Sequence, residues 1–361
     1  MSFGIVGAGL SGVLIAEALQ ELGVSVDWII DAQNKEAGSG APTALCHPFP
    51  GRSFLPHPLL EQAYAETVRK LSLWKHSSPL LVRETTMVRP LLGRTGERLK
   101  SSFQQSWKSN SKRSSWVSFQ WMNQEQLKRH HPAAAHPEGA VAYTPAFSVD
   151  LSDLLVKRRA ELPLVHARLC HLRREGNTWV AQSNNDTYRA QKCIVALGSA
   201  AHSWFPELRL GAYGGELINI SSATQLRAMY SINGLHIGQH HSGQYVFGAS
   251  RWPAHKRTDI DEAAAILFSK VSELLSLNAP QYHSIWRGIR SVYHKDRLPI
   301  AGGLTQHPDL FFLGALGAKG LLWGPYTAKR LAALVVKKTP IPDQLSSLRI
   351  PIQKWTSPLV L

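Results

Sequence analysis

Three observations predict a mixed α/β chain. Its 361 residues suffice for about two domains at roughly 150 residues each. Residues 3–31 run strand, glycine loop, helix, strand, in the order of a βαβ unit. Residues 310–321 then bring a second strand, glycine turn and helix start near the other end of the chain.

Phe3-Gly4-Ile5-Val6 is a short apolar strand, and Gly7-Ala8-Gly9-Leu10-Ser11-Gly12 follows it directly. Val13 to Gln20 has helical period, Gly23 stops the helix, and Val24 to Ile30 alternates into a strand ending on Asp31. A lone GxGxxG is weak. Here it follows a strand, opens a helix and has an acid 19 residues beyond its last glycine, the full context of a Rossmann-like dinucleotide-binding unit. Gly7 permits the tight turn, Gly9 removes the Cβ that would block a pyrophosphate, and Gly12 lets helix and strand approach. Leu10 and Ser11 begin the helix, whose N–H groups and positive dipole end face the phosphates. Asp31 is expected to accept hydrogen bonds from the ribose hydroxyls. The loop does not by itself choose between FAD and NAD.

Five further stretches make that choice by resemblance. They are Ala37-Gly38-Ser39-Gly40-Ala41-Pro42-Thr43-Ala44-Leu45, Lys192 to Ala200 with Gly198, Tyr245 to Ser250, Gly288-Ile289-Arg290 followed by Asp296 and Leu298-Pro299-Ile300, and Leu310 to Leu321. In this order they resemble the D-amino-acid-oxidase superfamily of FAD enzymes over nearly the whole chain, residues 80–140 being poorly matched. The resemblance implies non-covalent FAD and an interleaved architecture: a three-layer FAD-binding domain from 1–78, 146–208 and 284–361, and a smaller sheet-plus-helix substrate domain from 79–145 and 209–283. It also implies that Ser39, Gly40, Thr43 and Ala44 lie under the flavin ring, with Gly198, Gly314, Gly317, Ala318, Lys319, Gly320 and Leu321 closing over it.

The implied chemistry is oxidation of the C–N bond of an amine or amino acid by hydride transfer to the flavin, giving an imine that water hydrolyses. Arg290 stands where family members hold the substrate carboxylate, with Arg287 as its competitor. Lys319, inside the second glycine turn, would place positive charge beside the flavin. His47, next to Cys46 and just after the small-residue segment, is a candidate for deprotonating the amine. His236, His240 and His241 cluster in a glycine-punctuated stretch that does not read as a helix, and no metal site is assigned there.

Composition adds a second theme. Forty Lys and Arg against twenty-five Asp and Glu give a net charge of +15, attractive to polyanions. Arg94 to Arg113 reads as a basic, Ser-rich insert with Phe103, Trp107 and nearby Trp116, either an RNA-binding surface or a solvated hairpin with its tryptophans turned inward. The segments around Ser39-Gly40 and Gly317-Ala318-Lys319-Gly320-Leu321 are also similar to the oxidase half of the bifunctional enzyme that modifies the tRNA wobble uridine, removing the carboxymethyl group of 5-carboxymethylaminomethyl-uridine. Lys319 stands where that branch has an arginine, and Glu216 where it has a glutamine. A tRNA substrate is therefore the alternative to a small amine or amino acid, and a flavin-bearing RNA-binding protein without turnover is the third reading. No stretch is long and apolar enough to insert stably in a membrane, and a cytoplasmic location is expected. Three cysteines build no disulfide framework, and no motif specifies the electron acceptor.

Overall fold

The computed structural model describes residues 2–31, 36–51, 53–108, 116–134, 138–305, 307–350 and 359–360. The chain divides into two compact units, one of residues 1–40, 155–213 and 288–361, the other of 41–154 and 214–287.

The first unit is built on a six-stranded sheet. Its order is Ile300–Leu304, His307–Gly314, Lys192–Val195, β1 (Phe3–Val6), β2 (Trp28–Asp31) and Leu164–His166. All neighbours are parallel except the edge pair Ile300–Leu304 and His307–Gly314. A parallel sheet is buried on both faces, and β1 is accordingly buried along its whole length. Helix α1 (Leu10–Gln20) is buried from Leu10 to Leu19, including Glu17, whose carboxylate accepts from Arg158 Nε at 2.7 Å. The helix Gly320–Lys337 packs on α1 at close range. A Cβ on its Gly320 would stand 2.9 Å from Leu10 Cδ2, and one on Gly324 would stand 2.6 Å from Leu14 Cδ1. The first residues of the two helices therefore touch, and their N-termini open side by side. An antiparallel sheet of Thr187–Ala190, Thr178–Ser183, Leu169–Glu175 and Leu359–Val360 belongs to the same unit.

The second unit carries a larger, mostly antiparallel sheet that includes Tyr245–Gly248, Leu235–Gln239, Met229–Ile232, Val82–Pro90, Ala140–Val149 and Ala44–Cys46 in adjacent order. Helix Ile260–Leu274 buries Ala264, Leu267, Val271 and Leu274 against it.

Residues 41–78 and 146–154, expected with the nucleotide-binding part, belong to the second unit, which is thereby slightly the larger. Two contacts explain this. The strand Ala44–Cys46 pairs with Ala140–Val149, and Tyr64, on the helix Leu60–Ser77, donates its hydroxyl to Pro145 O at 2.6 Å. The basic insert is no hairpin where it is described. Gly93–Phe103 is a helix, with Arg94, Arg98 and Lys100 exposed. Phe103 and Trp116 turn inward, Phe103 against Phe54 and Phe119, Trp116 against Phe49 and Tyr64. Lys112 and Arg113 lie outside the described residues, as does the side chain of Trp107.

Each unit holds one wholly buried thiol, Cys193 in the first and Cys46 in the second. Among the described residues no helix is long and apolar enough to cross a membrane.

Candidate functional site

The glycine loop sits where β1, β2 and Lys192–Val195 end together. Gly7 has φ +109°, donates its N–H to Ile30 O at 3.0 Å, and has no room for a side chain: a Cβ would stand 2.4 Å from Ala196 O. A Cβ on Gly12 would stand 1.9 Å from Gly7 O, so helix and loop meet at backbone contact. Gly9 is the N-cap of α1, and among the described residues no side chain caps that helix. The nearest atom to a Cβ placed there is Ser39 Oγ at 3.0 Å. The turn Gly38–Gly40 thus lies against the open first turn of α1.

The strand Gln281–Tyr293 joins this turn to the second glycine turn. Ile289 N–H donates to Glu36 O at 2.8 Å, and Ala37 and Ile289 form a parallel bridge. Gly317 N–H donates to Ser291 O at 2.9 Å, and Val292 bridges Leu316. Arg290 therefore stands between the turns 36–40 and 315–320, half-buried, its Cβ 3.8 Å from the position of a Cβ on Gly38. Lys319 is the N-cap of the helix Gly320–Lys337, again without a side-chain cap. Burial and the neighbouring Arg297 lower its pKa below the ordinary lysine value, against the pull of Asp296.

Arg287 and Arg290 are three apart on one strand, and so project from opposite faces. Arg287 is committed to its own unit. Its Nε donates to Glu216 Oε1 at 2.7 Å and Nη2 to Thr258 O at 2.7 Å, while Trp252 Nε1 donates to the same Glu216 oxygen at 2.6 Å. Ser250 Oγ donates to Glu216 Oε2. Asp296, the carboxylate closest in sequence to Arg290, pairs with Arg349 at 3.1 Å.

The family model described as FAD dependent oxidoreductase matches residues 3–334. The chain belongs to the FAD-dependent D-amino-acid-oxidase (DAO) family. Its fold is similar to that of glycine oxidase from Bacillus cereus, with 17% identity, TM-score 0.79 and 99% of each chain covered. It is similar to iminodiacetate oxidase from Chelativorans sp. BNC1, with 17% identity, TM-score 0.73 and coverage of 95% of this chain and 97% of that one. It is also similar to L-α-glycerophosphate oxidase from Mycoplasma pneumoniae with FAD bound, with 15% identity, TM-score 0.71 and coverage of 93% and 95%.

FAD is the cofactor of this DAO-family chain, and the first unit fits it. Two uncapped helix N-termini open side by side, and the one glycine of the loop whose Cβ would not strike backbone, Gly9, lies at the mouth of α1. Gly7, Gly9, Leu10, Ser11, Gly12, Asp31, Ser39, Gly40, Gly198, Gly314, Gly317, Ala318, Lys319, Gly320 and Leu321 all lie in this unit, as does Arg290. Gly198 has φ +58° and nothing within 4 Å of a Cβ placed on it, an open position at the end of Lys192–Val195.

Thr43, Ala44 and His47 belong to the other unit. Thr43 is buried and donates its hydroxyl to Asp150 Oδ1 at 2.9 Å, which commits it to an internal bond. His47 is buried too, with Nδ1 2.8 Å from Tyr143 Oη. Burial, then the neighbouring His236 and Arg89, lower its pKa well below the ordinary histidine value, so its ring is neutral at physiological pH.

Two further groups stand out, the first without a local sequence signal and the second built on the His240 and His241 of the sequence cluster. Arg159, discussed below, reaches the glycine loop from about 150 residues away in sequence. Ligand atoms of Asp150, His240 and His241 lie within 4.8 Å of one another, but both Asp150 oxygens accept from Arg83, at 2.9 and 3.0 Å. A guanidinium on that carboxylate makes the group an internal ion-pair knot.

Proposed function

We propose that this chain oxidises the C–N bond of a carboxylate-bearing amine or amino acid. The observation that carries the reading is the division of labour between two arginines. Arg287 is bonded to buried Glu216 in the other unit, whereas Arg290 stands between the two glycine turns, the place from which a guanidinium reaches a substrate carboxylate beside the cofactor. A planar fork at that place holds a carboxylate by two parallel bonds and fixes the α-carbon relative to the cofactor. Bound FAD supplies the two-electron acceptor for the α-hydride. Lys319 contributes a cation at the mouth of the second helix, and its lowered pKa keeps that charge sensitive to alkaline pH. Solved relatives of the same fold are named as a glycine oxidase and an iminodiacetate oxidase, whose substrates share an amine next to a carboxymethyl group.

A tRNA carrying carboxymethylaminomethyl-uridine is the second reading, since its modified base ends in the same group. The exposed Arg94, Arg98 and Lys100 of the helix Gly93–Phe103 favour it, while the inward turn of Phe103 and Trp116 removes the stacking surface expected for RNA.

The test is anaerobic bleaching of the flavin by glycine, sarcosine, iminodiacetate, D-amino acids and modified tRNA. Bleaching by free amino acids supports the first reading, and bleaching by the tRNA alone replaces it with the second. A protein that keeps its flavin oxidised with all of them refutes both.

A further inference from the structure

Arg159 ends the helix Leu151–Arg159, and the residue before it fixes where it goes. Arg158 is tied to Glu17 on α1 at 2.7 Å and to Glu161 at 3.2 Å, which holds the end of its helix on α1. Arg159 then reaches across the glycine loop. Its Nε donates to Ala8 O at 2.7 Å, and its Nη1 lies 3.8 Å from Asp31 Oδ2. His166 Nδ1 stands 3.8 Å from the same oxygen. Among the described residues Nε makes the only hydrogen bond of this guanidinium. Its two Nη nitrogens, four N–H donors, are held between the Ala8 carbonyl and the carboxylate expected to bind ribose, on a side chain one quarter exposed.

We propose that Arg159 is a cofactor-binding residue, donating from Nη to the adenosine half of FAD, at its phosphate or its ribose oxygens. Two charges frame the argument. The cofactor's diphosphate is dianionic, and the first turn of α1 offers N–H groups and a partial positive charge but no cationic side chain. Arg159 brings a full positive charge to that loop on a helix unrelated in sequence to the fingerprint. Its bond to Ala8 O fixes the fork in advance, so little freedom is lost when a ligand arrives. The 3.8 Å separation from Asp31 is longer than a hydrogen bond. The guanidinium therefore keeps its Nη donors for oxyanions.

This inference rests on the FAD assignment, and the test keeps the two apart. The apoprotein is titrated with FAD and with ADP, which carries the adenosine diphosphate half alone, in wild type, R159Q and R159K. Wild type binding both ligands upholds the assignment whatever the variants do. R159Q is expected to weaken FAD and ADP by a similar factor, about tenfold to a hundredfold, the range of one or two charged hydrogen bonds. The ADP affinity of R159Q should also fall less steeply with salt. R159K, which keeps the charge without the fork, should recover part of the loss. Unchanged affinity for both ligands in R159Q overturns the proposal. So does a loss for FAD with none for ADP, or a loss accompanied by a lower apoprotein melting temperature and unchanged salt dependence, which would make Arg159 a strut. Should R159Q not fold, R159K is decisive by itself: a smaller loss shared by FAD and ADP supports the proposal, and wild-type affinities refute it.

Discussion

Arg287 Nε donates to the buried carboxylate of Glu216 at 2.7 Å, and Trp252 Nε1 donates to the same oxygen. This pair accounts for the one competitor of Arg290 and separates two arginines that the sequence places three residues apart. Replacing Arg287 with Met leaves a fully buried carboxylate without its cation. That should cost roughly 3–5 kcal/mol of stability, read as a lowered unfolding midpoint in urea. The variant R290Q tests the other arginine. KM for a carboxylate-bearing amine is expected to rise about tenfold or more, with little change for an amine lacking the carboxylate. An R290Q enzyme with unaltered KM would refute the assignment.

The glycine loop makes a second separable pair. A Cβ at Gly12 strikes Gly7 O at 1.9 Å, whereas one at Gly9 meets only the movable hydroxyl of Ser39. G12A should therefore destabilise the fold by about 1–3 kcal/mol or more through overpacking. G9A should fold near normally and purify with little flavin. Flavin-to-protein absorbance ratios, set beside melting curves, check both.

Lys319 is expected to set an alkaline limit. Its lowered pKa means that the cation is lost at a lower pH than the ordinary lysine value near about 10.4. Whatever its charge contributes is present at neutral pH and fades as pH rises. The rate of anaerobic flavin reduction should fall on the alkaline side in wild type, while K319M should be slower at neutral pH and lack that limb. Parallel alkaline limbs in the two proteins would show that another group titrates.

Acid stability should depend on Asp150. Burial would raise its pKa, but hydrogen bonds and charge from Arg83, with the His241 N–H and the Thr43 hydroxyl, outweigh burial and hold it below the ordinary value. A carboxylate depressed in the folded state contributes stability that is present above its unfolded pKa of about 3.9 and is lost as pH falls through the folded one. Melting temperature against pH should therefore drop on the acid side in wild type and run flatter in D150N. At neutral pH D150N should be less stable by roughly 2–4 kcal/mol, between the cases of exposed and buried pairs.

What was legible in the sequence was local. Gly7 to Gly12, Asp31 and the turn Gly314 to Gly320 announce themselves because strand, turn and helix are contiguous, and the structure gathers them in one unit. The role proposed for Arg290 was suggested only by resemblance. The separation of Arg290 from Arg287 needed the position of Glu216, some seventy residues earlier. The bond that Thr43 makes was illegible for a related reason: Asp150, which accepts from its hydroxyl, is 107 residues away. Arg159 carried no pattern at all, since a basic last turn is what any helix C-terminus favours. Periodicity reports which face is buried, and side-chain pairing between distant segments leaves no period.

Cys193 and Cys46, one in each unit, are wholly buried, and burial raises both thiols well above the ordinary cysteine value. Neither forms a thiolate in the native state, so an alkylating or disulfide reagent reaches them only when the surrounding sheet opens. The two sulfurs are thus a pair of built-in clocks, each timing the opening of its own half of the molecule. With the half-exposed Cys170 replaced by serine, mass-resolved labelling would read the halves separately: added FAD should slow the Cys193 clock, and any slowing at Cys46 would measure how far cofactor binding in one half stiffens the other.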